Sequence, residues 1–176
     1  MESITFFSTS DLPAQGLSNQ FLSGQVFAQG FSAEASGLPT EFGLRVANPG
    51  VRAELDLRLL CNGELLATSS FSGAPQSGDG FVVFSLPLPA KPIRAGDDVV
   101  FELSSRAETY LEALPLVAEP TSLRAGSLPT LAPFNSRFYL RGAPIPEVPA
   151  TPPPAPKLPA QASPGIWKRF RDWLLD

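Results

Sequence analysis

Glu54-Leu-Asp-Leu-Arg-Leu59 and Glu64-Leu-Leu-Ala-Thr-Ser-Ser-Phe71, joined through Leu60-Cys61-Asn62-Gly63, are the stretches whose reading decides the fold. In the first run leucine alternates with charge, so an extended chain puts the leucines on one face and the charges on the other. A helix would scatter the same leucines around its axis. Asn62-Gly63 is the dipeptide that most readily accepts positive φ at both central positions of a type I′ turn. The twist of that turn matches the twist of paired strands, so the stretch predicts a β-hairpin with one face on a core.

The alternation extends both ways. Upstream, Phe42, Leu44 and Val46 share one parity within 41–46, before the turn signal Asn48-Pro49-Gly50. Residues 21–31 read as one interrupted strand. Phe21, Phe27 and Phe31 share a parity with Gln25 and Gln29, and Gly24 and Gly30 mark bulges or bends. Ile4–Phe7 is a short strand and Asp11–Asn19 a polar loop. Downstream, Gly73–Gly80 is a loop, and Phe81–Leu86 is so nearly continuously apolar that it predicts a strand buried on both sides or central in its sheet. The prolines between Leu86 and Pro92 leave the sheet. Arg94-Ala-Gly-Asp-Asp98 turns the chain into the strand Val99–Leu103, and Glu108–Leu114 is another strand. The weak pattern of 115–133 predicts a long loop with an irregular strand, and Asn135–Arg141 closes the domain. With about eight strands, frequent turns and no helical period, the prediction is all-β: an antiparallel β-sandwich, jelly-roll-like, over residues 1–141.

The composition changes after Arg141. Nine of the chain's 20 prolines lie between Pro144 and Pro164. Proline fixes φ and lacks an N–H, so 142–164 predicts an extended linker with a reach of roughly 60 Å. Residues 165–176, Gly-Ile-Trp-Lys-Arg-Phe-Arg-Asp-Trp-Leu-Leu-Asp, follow it. Ser163-Pro164 suits a helix start, and Ile166, Phe170, Trp173 and Leu174 recur at helical spacing, with Trp167 beside them. Lys168, Arg169, Arg171 and Asp172 take the other side. A helix of about three turns is marginal alone, and this one has its cations early and Asp176 late, against the helix dipole. The peptide therefore predicts ordering on contact. A groove on a protein partner is the first expectation. A membrane interface is the second, weakened because the last nine residues hold three cations against two aspartates and the terminal carboxylate. The chain's own β domain is the third.

Charge and composition exclude several classes. Residues 1–141 carry 14 acidic and 9 basic side chains, and the remainder 3 and 4, giving the net charge of −4. An acidic domain without a basic run argues against nucleic-acid binding. The single Cys61 forms no internal disulfide and reads as a small buried hydrophobe. No stretch reaches the roughly 18–20 apolar residues of a membrane helix. The opening Met1-Glu2-Ser3-Ile4-Thr5-Phe6-Phe7 lacks the basic and apolar regions of a Sec signal, which predicts synthesis in the cytoplasm and a place in a particle or larger assembly. A homo-oligomer is compatible with all of this.

Catalytic chemistry is hard to find. The chain contains no histidine, which removes Ser-His and Cys-His nucleophiles and histidine metal sites, and one cysteine cannot build a thiolate site. No glycine-rich phosphate loop is present. Glu54, Asp56 and Glu64 sit where a solvated hairpin face puts its charges, so no enzyme, no cofactor and no catalytic residue is predicted. Asp79, Asp97 and Asp98 are the weak candidates for calcium, set against ordinary turn chemistry. Arg137, Tyr139 and Arg141 alternate on the last strand as a candidate ligand strip. Tyr110 and Tyr139 are the only tyrosines and residues 1–141 hold no tryptophan, which counts against a sugar-stacking site.

Two stretches, Val26-Phe-Ala-Gln-Gly-Phe31 and Arg94-Ala-Gly-Asp-Asp-Val-Val-Phe-Glu-Leu103, resemble the paired landmarks of jelly-roll modules in bacterial surface and carbohydrate-associated proteins. Those modules open on an "fAQsF"-like strand and near their close carry an "aGt.Y.l.l"-like strand, in which Phe101 takes the aromatic or aliphatic place. The chain departs from them in having no signal peptide and no domain tryptophan. The resemblance implies the jelly-roll fold and a non-catalytic binding or display role, and it assigns no ligand residue. The resulting expectation is a structural or display module docked through Ile166, Trp167, Phe170, Trp173 and Leu174. The alternative is a glycan-binding module docked by the same peptide on a shell or membrane.

Overall fold

The computed structural model describes residues 3–10, 17–47, 50–75, 80–87, 91–114, 123–128 and 131–145. The chain divides into two units, Met1–Ile145 and Pro146–Asp176, and every described residue belongs to the first. Twelve strands and no helix occur among the described residues. They are β1 (Ile4–Ser8), β2 (Leu17–Phe21), β3 (Val26–Ser32), β4 (Leu38–Arg45), β5 (Ala53–Cys61), β6 (Glu64–Gly73), β7 (Phe81–Ser85), β8 (Asp98–Ser105), β9 (Thr109–Leu114), β10 (Leu123–Leu128), β11 (Leu131–Ser136) and β12 (Phe138–Ala143).

The hairpin that opens the sequence argument is β5 and β6. Its turn takes the expected form, with φ of 51° at Asn62 and 80° at Gly63, the pair of positive values that a type I′ turn requires. Around it the pairs β4·β7, β3·β8 and β1·β12 nest like successive shells, each antiparallel. The strands form a four-stranded sheet ordered β1-β12-β4-β7 and an eight-stranded sheet ordered β2-β9-β11-β10-β3-β8-β5-β6. Phenylalanines from both sheets meet between them. The Phe42 and Phe101 rings lie 4.8 Å apart, Phe101 and Phe138 4.7 Å, and Phe7 and Phe31 5.0 Å. The described residues are all-β with antiparallel sheets, compatible with a β-sandwich. Each buried phenylalanine contributes about 1.5–3 kcal/mol, so this layer dominates the core.

Several expectations need correction. Residues 21–31 are two strands, because Gly24 at φ +82° turns the chain between β2 and β3. β2 begins at Leu17, inside the stretch read as polar loop. Gly30 borders a break of register in the β3·β10 ladder, between the pairs Arg124–Gly30 and Ser127–Ala28. It lies opposite Arg124, whose guanidinium occupies the space a Cβ would fill. Phe81–Leu86 was expected to be buried on both sides or central. Instead β7 is an edge strand with Val82 and Phe84 buried and Val83 and Ser85 exposed. The run 115–133 supplies β10 and the start of β11, and the closing strand is broken at Arg137 into β11 and β12. Among the described residues the strand count is therefore twelve rather than about eight.

The break at Arg137 has a polar cause. Gln29, on the inward parity of β3, is 1% exposed and sits among side chains that bond both ends of its amide. Its Nε2 donates to Asn135 Oδ1 at 3.0 Å, and its Oε1 accepts from Ser136 N–H at 3.0 Å and Ser136 Oγ at 2.7 Å. Thr9 continues the cluster, accepting from Phe138 N–H at 2.8 Å while its hydroxyl lies within reach of the Ser136 and Phe138 carbonyls. Side chains thereby take the bonds that a regular ladder would supply where the chain passes from one sheet to the other.

Candidate functional site

Of the proposed ligand strip, Tyr139 and Arg141 lie on β12 in the four-stranded sheet, and only Arg141 is exposed. Tyr139 pairs directly with Gly43, and its ring lies flat over that glycine, within 2.1 Å of where a Cβ would stand. Phe81 packs beside the ring at 5.4 Å, and the Arg141 guanidinium covers it at 4.4 Å from the centroid. Only 8% of Tyr139 and 7% of Arg137 remain accessible, while Arg141 is exposed. The glycine opposite removes the side chain that would hold the ring upright, so the tyrosine lies down on the sheet. Arg137 sits between β11 and β12, where its carbonyl accepts from Arg45 N–H at 2.9 Å. Arg45 in turn pairs with the buried Glu112 at 2.9 Å.

The two landmark stretches of the resemblance become neighbours. β3 and β8 run antiparallel with Phe27 opposite Leu103, Gln29 opposite Phe101 and Phe31 opposite Val99. Their inward residues are core, and their outward residues join a flat charged surface. On it Arg58 pairs with Glu102 across the β5·β8 ladder at 2.7 Å, and Arg106 pairs with Asp56 at 2.9 Å.

A concave site lies at the tip of the first hairpin. A cleft of about 380 Å³ is lined by Cys61, Asn62, Glu64, Leu65, Leu66, Lys91, Pro92 and Asp97. Asp97 anchors it. Its carboxylate accepts from Arg94 N–H at 2.7 Å and Asn62 Nδ2 at 3.0 Å, while Cys61 Sγ approaches at 3.6 Å. The Arg94 N–H above all, then the Asn62 amide, hold the Asp97 carboxyl below its usual range. Asn62 returns the contact by accepting from Asp98 N–H at 3.0 Å. Burial first, and the Asp97 charge second, push the Cys61 thiol up to about 11. That thiol stays protonated at neutral pH and is a poor nucleophile. Lys91 and Glu64 close the other side as an exposed ion pair at 2.7 Å, each favouring the other's charged form.

This geometry bears on the candidates. Asp97 is satisfied by turn and hairpin partners, and Asp98 pairs with Arg124, so both carboxylates are engaged within the protein. No cluster of three or more potential metal ligands occurs among the described residues. Asp79 lies outside them, as do Ile166, Trp167, Phe170, Trp173 and Leu174 with residues 146–176. Cys61, expected to be a buried hydrophobe, is half-buried and bonded to Asp97. The cleft itself was not foreseen. Glu64 and Lys91 are far apart in sequence, and only the Asn62-Gly63 turn and the Arg94–Asp98 turn, read separately, hinted at its walls. No protein-family model matches the chain, and no curated protein is significantly similar to it.

Proposed function

We propose that this chain is a non-catalytic jelly-roll module held to a larger assembly by its proline-rich segment and C-terminal peptide. A phage-like particle, in which it would serve as decoration, fibre or attachment component, fits this reading best. The observation that carries it is the partition of aromatic residues. Both tryptophans lie in 165–176, beyond a domain whose core is closed by phenylalanine from strands ending at Ala143. Large aromatic surface is costly to leave in water, and beside Lys168, Arg169 and Arg171 it suits an anchoring peptide.

The jelly-roll assignment is supported by the nested pairs β1·β12, β3·β8, β4·β7 and β5·β6. They place β1-β12-β4-β7 in one sheet and β3-β8-β5-β6 side by side in the other, the interleaving of a long hairpin rolled on itself. β2 and β9–β11 then extend the second sheet. The glycan-binding alternative draws less support, because Tyr139 is covered by Arg141 and Phe81. The test is to fuse residues 143–176 to an inert carrier, with a Trp167→Ala, Trp173→Ala control. Recovery of one defined protein from native lysate, lost in the control, is expected. Sedimentation with liposomes and no protein partner would replace docking on a partner with a membrane anchor.

A further inference from the structure

Asn62-Gly63 is the only Asn-Gly step in the chain, and it forms the exposed tip of the first hairpin. This dipeptide carries a reaction of its own. The main-chain nitrogen of the glycine can attack the asparagine Cγ, and a residue without Cβ leaves that approach unhindered. Around Gly63 no atom lies within 4 Å of where a Cβ would stand. The fold also supplies a restraint. Asn62 has φ of 51°, and in the left-handed region its Cβ stands nearly anti to the following nitrogen, so the turn must swing out before the ring can close. Three hydrogen bonds oppose that swing, all to Asp97 and Asp98 at the entry to β8. Asn62 N–H donates to the Asp98 carbonyl at 2.7 Å, and Asn62 Nδ2 donates to Asp97 Oδ1 at 3.0 Å. Asn62 Oδ1 accepts from Asp98 N–H at 3.0 Å.

We propose that Asn62 is a modification site, converted slowly by its own main chain to aspartate and iso-aspartate, and that Asp97 restrains the rate. The Gly63 nitrogen bonds to Asn62 Cγ, the Cγ–Nδ2 bond breaks, and ammonia leaves with the glycine's proton. Water then opens the cyclic imide at either carbonyl. The conversion loosens the hairpin-tip cleft and does not reverse. Where Nδ2 donates to Asp97, the aspartate product presents a carboxylate oxygen to a carboxylate, and like charges at that range repel. Arg124 is already engaged by Asp98 and does not relieve them. The iso product adds a methylene to the main chain. A two-residue turn between the paired Cys61 and Glu64 cannot hold that extra length in register. Either way the contact that joins the hairpin tip to the Arg94–Asp98 turn is lost. The proposal does not rest on the tether reading, since both partners lie in the β domain.

The test incubates the full chain in mildly alkaline buffer and follows Asn62 by peptide mapping with mass spectrometry, with isoaspartyl methyltransferase labelling the iso product. Wild type should convert measurably, but about tenfold more slowly than a free peptide of residues 60–66, because each bond that keeps the tip closed lowers the open population by up to about tenfold. Asp97→Ala, with an unchanged far-UV spectrum, should convert several-fold faster than wild type. Wild type matching the free peptide would overturn the proposal, as would wild type showing no conversion once the peptide is consumed. A folded Asp97→Ala variant converting at the wild-type rate would overturn it too. If Asp97→Ala fails to fold, the product mimic decides the part played by Asp97. Asn62→Asp should lower the unfolding midpoint in the wild-type background and lower it less beside Asp97→Asn, where the facing charge is gone. An equal loss in both backgrounds would overturn the role given to Asp97.

Discussion

The phenylalanine layer and the Gln29 cluster are both sealed from water, and they join the sheets by opposite means. Phe101 and Phe138 meet rings from either sheet and need only shape and apolar area. Gln29, Asn135, Ser136 and Thr9 need every donor matched to an acceptor, and they occupy the place where the main chain crosses between sheets. Apolar packing degrades gradually when a group is lost, whereas a buried polar cluster is costly as soon as one member is left unpaired. Phe138 belongs to both regions, with its ring in the layer and its N–H on Thr9.

Substitutions can break this comparison in order of size. Phe138→Ala should cost about 3–5 kcal/mol in denaturant unfolding, since the ring touches Phe7, Phe31, Phe42 and Phe101. A loss near 1 kcal/mol would mean that the layer collapses around the gap. Gln29→Leu keeps the volume but strips partners from Ser136 and Asn135, and should cost about 1–3 kcal/mol. Adding Ser136→Ala should recover part of that loss, because the two changes share one cluster. Additive losses would show that the cluster is not a unit. Gly43→Ala tests a third arrangement, packing on the outer face. The new methyl must lift Tyr139, costing about 1–2 kcal/mol and raising the exposure of the tyrosine to solvent perturbation.

The smallest effects belong to the hairpin-tip cleft, where pH is the probe. The folded-state pKa of Asp97 lies below its ordinary value of 3.8, so its stabilisation is present above that value and lost as pH falls through the folded one. Asp97→Asn should therefore cost about 1 kcal/mol near neutral pH, with the two stability curves converging in acid. The same variant removes one cause of the raised Cys61 pKa. Iodoacetamide should react slowly with the wild-type thiol until pH nears about 11, and faster with the variant at pH 9. Equal rates at pH 9 would show that Asp97 adds little to the effect of burial.

The phenylalanine layer was legible because alternation is a local pattern. Phe42, Leu44, Leu55, Leu57, Leu59 and Phe101 announce their faces within a few residues, and Asn62-Gly63 announces its turn. The Gln29 cluster was not legible, because a glutamine on an apolar parity has no meaning until Ser136, more than a hundred residues away, arrives opposite. The misread β7 fails for a similar reason. Its continuous apolar run looks central, yet Phe81 is spent on packing beside Tyr139 and Val83 stays exposed. The strip Arg137, Tyr139, Arg141 was read as a face of one strand, whereas Gly43 on the next strand decides that the tyrosine lies flat.

The central claim is that the last residues attach the domain to something larger. The most direct measurement is the size distribution of the full chain in native lysate, beside its Trp167→Ala, Trp173→Ala variant. Wild-type protein in a high-mass fraction, with the folded variant moving to the fraction of the free chain, is the predicted result. Wild type and variant running together at that low mass would contradict the account and return the search for function to the surface of the sheets.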